Sequence, residues 1–584
     1  MQIADPEWLP TAGRLAMRCD APVLPLYINA RNAASFYLSA YIHKRLRTLL
    51  LPRWSALPWK KIQVKVFKLQ QRIYRASQQG NVKLVHRLQR LLLKSWYGRL
   101  LAVRRVTQDN QGKKTAGIDG IKSLKPAQRL QLASNLSQQR KPKPLRRIWI
   151  PKPGKSEKRP LSIPVMHDRA AQSLVKLALE PEWEAKFEAN TYGFRPGRSC
   201  QDAIKAIFNI ICQRPKYVLE GDIAGCFDNI SHSALLEKTQ APPFILRQLR
   251  GWLKCGVLDN GFQVTRSGTP QGGVVSPVLA LIALHGLETY LQSLGTQKHP
   301  IYAVFYADDF VVFTTQASDI PRVKKAVSQW LQGVGLELHP EKTKVSHTLN
   351  EPAGFDFLGF SVRQYPVGKY ASRRGYKTLI KPSKAGMKRH RLRLKQIVDS
   401  HIATTQEQLI HHLNPVIVGW CQYYSKVVSK AAFASLSAQL FHQLRRWAKR
   451  RHPNLNSHQI VSRYWMIDRG GGWAFQSKDG LGLYRHDATP IRRHIKVKGQ
   501  RSPYDGDWCY WGMRGRFSPN LAPLKTFLLK RQQGKCHHCG LNFILEDLIE
   551  THHLDGNRDN QRRHNLALLH RHCHDQAHAQ RRIS

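Results

Sequence analysis

Residues 301–313, IYAVFYADDFVVF, place a short acidic interruption between two runs of β-branched and aromatic side chains. Such runs read as two strands joined by a tight turn, with Asp308 and Asp309 at the tip of the hairpin. Adjacent carboxylates repel each other unless a cation sits between them. A third acid, Asp222, ends another apolar run, YVLEGDI (217–223). Strands of this kind can lie side by side and bring Asp222 next to Asp308, forming a site for two Mg2+ ions about 3.5–4 Å apart. Hard cations take oxygen ligands, so Asp is the right residue type. The competing reading is an acidic turn open to water. Hydrophobic strands on both sides, in a very basic chain, favour the metal site.

The 584 residues carry 93 Lys+Arg against 38 Asp+Glu, a formal charge of +55. Charge of that size repels itself in a compact chain, so a polyanionic partner is expected, nucleic acid above all. With 42% hydrophobic residues the chain can bury sizeable cores, which excludes wholesale disorder. Its length suggests about three to five units. No apolar run is long enough to span a bilayer. The start, MQIADPEWLP, lacks a basic stretch followed by an apolar core, and no signal peptide is expected. Ten cysteines are too few for a disulfide scaffold. Seven are scattered and read as buried reduced thiols, whereas Cys536, Cys539 and Cys573 sit in a tail dense in His.

From Trp59 to Arg104 the chain lacks Pro and repeats apolar residues at helical spacing. This predicts two basic amphipathic helices, broken near Gln79-Gly80-Asn81. DNQGKKTAGIDG (109–120) is a Gly-rich loop, weak evidence for phosphate binding by itself. A helix is expected from Arg169 to about Phe187, and a strand in LELHPEKTKVS (336–346). Interleaved strands and helices give an α+β chain. After Phe360 the composition shifts: KPSKAGMKRHRLRLKQ (381–396) is strongly basic, and helical patterns run through 411–426 and 431–451. Trp420, Tyr423 and Tyr424 share helical spacing with Val416 and Ile417 and are expected to pack helices rather than stack on bases.

Tyr306-Ala307-Asp308-Asp309 resembles the YxDD box of reverse transcriptases. In order and spacing, the surrounding blocks resemble the reverse transcriptases encoded within group II introns. The blocks are TAGIDG (115–120), IPKPGKSEKRPLSIP (150–164), YGFRPGRSCQDA (192–203), GDIAGCFDNI (221–230), GTPQGGVVSP (268–277), FYADDF (305–310), GLELHPEKTK (335–344) and FDFLGF (355–360). The resemblance implies a multidomain α+β protein with the fingers and palm of a right-hand polymerase and an α-helical thumb or maturase domain. Under it, residues 1–54 are an extension of unassigned role, 55–215 fingers, 216–372 palm, 373–475 thumb/maturase domain and 476–530 a small DNA-binding region. It makes Asp222, Asp308 and Asp309 the Mg2+-binding triad. One ion would lower the pKa of a primer 3′-hydroxyl, and the other would hold the triphosphate. Phe227 takes the place of a steric gate against the ribose 2′-hydroxyl. Gln271, Gly272 and Tyr306 would line the nucleotide, and Arg195 would contact template or nucleotide. Lys152 and Arg159 would hold the triphosphate, with Lys155 and Lys158 too close in sequence to choose among the four.

In the tail, 531–584, Cys536 and Cys539 form one C-x2-C pair, and His570 and Cys573 repeat its spacing. Four such ligands suit tetrahedral Zn2+. The residues between and after them resemble an HNH endonuclease, a ββα-metal nuclease. That resemblance makes His553 the general base, Asn565 the residue orienting its imidazole, and His552, His574 and His578 the holders of one divalent ion. A zinc ribbon that only binds DNA is the competing reading. The whole implies a cytoplasmic protein, nucleoid-associated when on its target. It would bind intron RNA (the lariat) as a ribonucleoprotein, with double-stranded DNA and dNTPs as further partners and no membrane. The alternative is a splicing-only maturase with an inactive polymerase.

Overall fold

The computed structural model describes residues 53–136, 140–151, 157–259, 261–467, 473–515, 522–543 and 547–580. All but the last two residues of the expected extension 1–54 lie outside these. Two units divide the chain. Within Met1–Leu57 the described structure is a single turn, Trp54–Ala56. The second unit, Pro58–Ser584, holds everything that follows.

α1 (Trp59–Gln78) and α2 (Val82–Lys94) break where the sequence predicts. Gly80 takes φ +68 there, and the Asn81 side chain accepts the Leu84 N–H to start α2. With α3 (Trp96–Arg104) they pack on α5 (Met166–Glu184); α4 (Pro126–Asn135) lies against α3. Two buried glutamines fasten this layer: Gln70 Nε2 donates to the Leu177 carbonyl at 2.9 Å and Gln89 Nε2 to Glu182 at 2.6 Å. β1 (Leu145–Pro151) pairs antiparallel with β2 (Lys158–Ile163) and parallel with β4 (Val257–Leu258), which carries β5 (Phe262–Gln263).

The central sheet has the order β6–β7–β3–β8, all antiparallel, from β3 (Tyr217–Asp222), β6 (Tyr302–Tyr306), β7 (Asp309–Thr314) and β8 (Lys344–His347). Both its faces are buried. Leu219, Phe305, Phe310 and Val312 enter one core with α5, α8 (Pro243–Leu253) and α9 (Ser276–Leu284). Val218, Val304, Val311 and Phe313 enter another, shared with α6 (Cys200–Ile211) and the helices after the sheet. α7 (His232–Thr239) packs on α8 and α9. The period-2 alternation of strand side chains thus feeds two cores at once. The strand expected over 336–346 shortens to β8. Thr343 N–H bonds back to the His339 carbonyl, and Pro340 has no N–H to give a ladder.

A three-stranded sheet, β11–β10–β9, follows, from β9 (Phe355–Phe357), β10 (Phe360–Pro366) and β11 (Tyr376–Pro382). It leads into three long helices, α10 (Lys384–Ser400), α11 (Gln406–Tyr424) and α12 (Lys430–Arg451). The aromatics of α11 pack, as expected. Trp420 stacks on His390 with centroids 4.6 Å apart, and the Tyr423 and Tyr424 hydroxyls donate to the Leu358 and Gly359 carbonyls. After the hairpin β12 (Trp465–Ile467)–β13 (Trp473–Phe475), residues 486–507 run largely without regular structure across the molecule. His494, the Val497 N–H and Arg514 all donate to Asp202 at the start of α6. The tail adds α13 (Pro523–Arg531), the hairpin β14 (Ile549–His553)–β15 (Leu566–His570) and α14 (Arg571–Gln580). Among the described residues no helix is long and apolar enough to cross a membrane.

Arg195, expected to face template or nucleotide, is instead enclosed. Its guanidinium bonds Glu184 at 2.8 and 3.1 Å and the carbonyls of Glu188 and Thr191, with neither Arg195 nor Glu184 side chain exposed. Removing one partner of a buried pair leaves the other charge uncompensated. Arg195→Ala should therefore destabilise the fold by about 3–5 kcal/mol, read as a lowered midpoint in denaturant unfolding.

Candidate active site and metal centre

The register of β3 on β7 sets Asp222 directly across from Asp309. Asp308 is in the turn between β6 and β7, where Ala307 takes φ +60. Two glycines allow this corner to close. A Cβ at Gly221 would lie 2.1 Å from the Phe310 ring, and one at Gly193 2.3 Å from the Ala307 nitrogen. Asp309 is thus the first strand residue rather than part of the tip.

Three acids share this corner, and Asp308 and Asp309 are raised there. The Asp309 carboxyl opens to solvent, yet the protein crowded around it, and then the charges of Asp308 and Asp222, push its pKa up to about 6. Burial raises Asp308 as well, with Asp222 adding to the shift and Arg159 and Lys342 opposing it. Lys342 Nζ donates to Asp222 Oδ2 at 2.5 Å. The sequence did not single out this lysine, 120 residues from its partner. The cluster is all oxygen, unlike the Cys/His set of the tail, and suits a hard divalent cation.

Around the acids, Phe227 meets Phe194 edge-on, centroids 5.9 Å apart. Gln271 donates to Asp228 at 2.9 Å, and the Gln271 carbonyl accepts the Ser162 N–H at 2.7 Å, pinning the turn that holds Gly272 to β2. Arg159, on β2, is close enough for its charge to act on Asp308. Tyr306 is half-buried beside the acids at the end of β6. Lys152 and Lys155 lie outside the described residues; Lys158 pairs with Pro151 across β1–β2. Asp228 and Arg147, whose charge offsets part of the burial-driven rise of the Asp228 pKa, were not picked out from sequence.

In the tail, the ligand atoms of Cys536, Cys539, His570 and Cys573 all lie within 4.8 Å of one another, as do those of His552, His574 and His578. His570 turns Nδ1 toward Cys539 (3.4 Å) and Nε2 toward Asp547 (3.2 Å). A carboxylate behind a histidine ligand fixes its tautomer. Asp547 was not foreseen. The hairpin β14–β15 brings His552 to face α14, which carries His574 and His578. One expectation needs correcting. Asn565 does not orient the His553 ring, because its amide hydrogens go to Asp555 Oδ1 and the Asn560 carbonyl, and its oxygen accepts the Asp555 N–H. It locks the loop after His553, whose Nε2 meets Gln561 Nε2 at 3.1 Å.

A mixed α/β chain with a palm-like sheet, an acidic triad at one end and a basic helical region after it defines the reverse-transcriptase class of right-hand polymerases. Family profiles agree. "Reverse transcriptase (RNA-dependent DNA polymerase)" matches residues 150–362, "N-terminal domain of reverse transcriptase" 54–136 and "Group II intron, maturase-specific domain" 387–465. The chain is 31% identical to Protein YkfC of Escherichia coli (strain K12), over 47% of this chain and 82% of that protein. It is 42% identical to the group II intron-encoded protein LtrA of Lactococcus lactis subsp. cremoris, over 26% of each. It is 28% identical to maturase-like protein 1 of Euglena gracilis, over 52% of this chain and 64% of that protein. The chain belongs to the group II intron-encoded reverse transcriptase–maturases.

The Asp309 carboxyl, raised first by burial and then by the neighbouring acids, makes a stability prediction. A carboxyl whose folded pKa is raised destabilises the fold above that pKa, and the cost fades as pH falls through it. Asp309→Asn should therefore raise the thermal unfolding midpoint measured in EDTA. The gain should shrink as pH is lowered through about 6, where the native carboxyl takes up its proton. A midpoint unchanged at pH 8 would contradict the raised carboxyl pKa.

Proposed function

We propose that the protein copies RNA into DNA at the Asp222–Asp308–Asp309 corner, binds a group II intron RNA as its splicing cofactor, and nicks DNA with its C-terminal unit. The observation that carries the polymerase is the β3–β7 register, which sets Asp222 across from Asp309 on a sheet buried on both faces. The three acids would hold two Mg2+ ions, which when bound activate a 3′-hydroxyl and neutralise the triphosphate. The chain's own groups do the rest. Arg159, together with Lys152, grips the triphosphate. The Phe227 ring closes the space a ribose 2′-hydroxyl needs. Gln271 and Gly272 form the turn beside the incoming nucleotide, and Tyr306 flanks it.

α10 exposes Lys384, Lys388, Arg389, Arg391, Arg393 and Lys395 around its surface, and such a basic helix suits an RNA backbone. Cys536, Cys539, His570 and Cys573 would hold a structural Zn2+. The β14–β15–α14 arrangement supports an HNH nuclease, with a divalent ion held by His552, His574 and His578 and His553 taking the proton from water. Asn565 keeps the loop after His553 in place. Acting as a ribonucleoprotein, the intron RNA would insert into one strand of double-stranded DNA. The tail would nick the other, and the palm would extend that 3′ end with dNTPs. This is retrohoming by target-primed reverse transcription.

Two substitutions separate the activities. Asp308→Ala should cut extension of an oligo(dT) primer on poly(rA) with Mg2+ by about a thousandfold, the several kcal/mol that metal-held charge contributes, while leaving DNA nicking intact. His553→Ala should do the reverse. Extension that survives Asp308→Ala would remove the polymerase site, and nicking that survives His553→Ala would remove the base. For the zinc site, elemental analysis of gel-filtered protein should find one tightly held ion per chain, absent from Cys536→Ala.

A further inference from the structure

Beneath α2 and α3, between α5 and α8, lies a cavity of about 340 Å3 that none of the acids above or the tail histidines enter. Ligand pockets run from about 300 Å3 upward, so it can take a small molecule or one residue of a polymer. Its floor is apolar, built from Leu93, Leu174, Val175, Phe244 and Trp252. Its rim is cationic, with Arg90, Lys94, Arg99 and Arg140 joined by His167. No carboxylate stands among its described lining residues.

Of this rim, His167 has an acid beside it, with Asp168 Oδ1 3.7 Å from Nδ1, whereas the arginines and the lysine have no carboxylate within the cavity lining. Burial alone depresses the Arg99 pKa, with no acid offsetting it. Arg90 lies over the Phe244 ring, 5.3 Å from its centroid, a contact that leaves the fork of N–H groups free to bond. Three nitrogens of lining residues, Arg99 Nε, His167 Nε2 and Trp252 Nε1, are buried with no hydrogen-bond partner among the described residues. Two are obligate donors, and the third becomes one with a change of tautomer. A buried donor without an acceptor costs free energy, and such groups in a native fold call for an explanation. Guanidinium forks match phosphate oxygens bidentately, and an aromatic, apolar floor matches the face of a base.

We propose that this cavity is a second nucleotide-binding site, distinct from the polymerising one, that takes a phosphate on Arg99 and its neighbouring cations and a base against Phe244 and Trp252. The nucleotide is either free or an unpaired residue of a bound RNA. The test is photolabelling of the full chain with 8-azido-AMP in EDTA, which silences the divalent-ion sites, followed by mapping of the labelled peptides. Label is expected in residues 244–252. It should fall about tenfold or more in the double variant Lys94→Gln/Arg99→Gln, the worth of a charged phosphate contact. Trp252→Phe, which keeps the bulk and removes the indole donor, should also weaken it. Lys324→Gln/Lys325→Gln, at two exposed lysines outside the cavity lining, should not. Competition by an eight-residue oligo(A) identifies RNA as the source, and labelling indifferent to it identifies the free nucleotide. Label absent from 244–252, or undiminished in both the double variant and Trp252→Phe while their unfolding midpoints match the parent, would overturn the site.

Discussion

Pairing of β3 with β7 is the constraint from which the rest follows. Because alternate side chains of both strands enter different cores, a slip of one residue would exchange the contents of the two cores entirely. The register is therefore held by the whole apolar interior, while its consequence is electrostatic. It sets Asp222 across from Asp309 and beside Asp308, an arrangement no isolated hairpin would keep. Lys342, brought in from the loop before β8, offsets part of that repulsion by bonding Asp222. The fold thus stores mutual repulsion at one sheet end, where a bound cation would relieve it.

The charge of +55 follows from composition, 93 Lys+Arg against 38 Asp+Glu, and the placement of some acids adds to it at the surface. Several carboxylates are inside, where they build the scaffold. Glu184 holds Arg195, and Glu188 accepts N–H groups from Gly286 and Thr289. Glu288 binds Asn190. These carboxylates do not answer the lysines and arginines exposed on α10 or around the cavity rim. The positive surface is mainly a product of the excess of basic residues, and a polyanion that binds the folded state alone would stabilise it by mass action.

Much of this was legible in sequence because it is local. The alternation in 301–313 specifies two strands and a turn, Gly80-Asn81 specifies a helix break, and the two Cys/His pairs specify a four-ligand cluster. Contacts made across long separations were not legible. Lys342 and Asp222, Arg147 and Asp228, and Asp547 and His570 carry no mark of partnership in their own neighbourhoods. Two readings failed for the opposite reason, since a motif was taken to fix a side chain's partner. Arg195 sits in FRPGR, yet an acid at the end of α5 claims it. Asn565 lies near His553, yet Asp555 and Asn560 lie nearer to its amide.

Asp202 shows what such distant contacts do for the assembly. It is wholly buried and accepts five donors: the Ser199 N–H and hydroxyl on one oxygen, and His494, the Val497 N–H and Arg514 on the other. Burial by itself would raise its pKa, but the bonds led by His494 and Ser199 hold it down at about 2. The carboxylate therefore stays charged and bonded at any physiological pH. It caps α6, a helix of the core behind the central sheet, and grips the strand-poor segment 494–514. That segment continues into the tail's own core, where Cys509 packs with Leu528, Cys536 and Leu566 and donates to the Phe543 carbonyl. This segment is thus fastened to α6 through Asp202 and to the tail's core through Cys509. The proposed nuclease takes its position from a helix packed behind the proposed polymerase site, an arrangement that would suit two activities working on one DNA end.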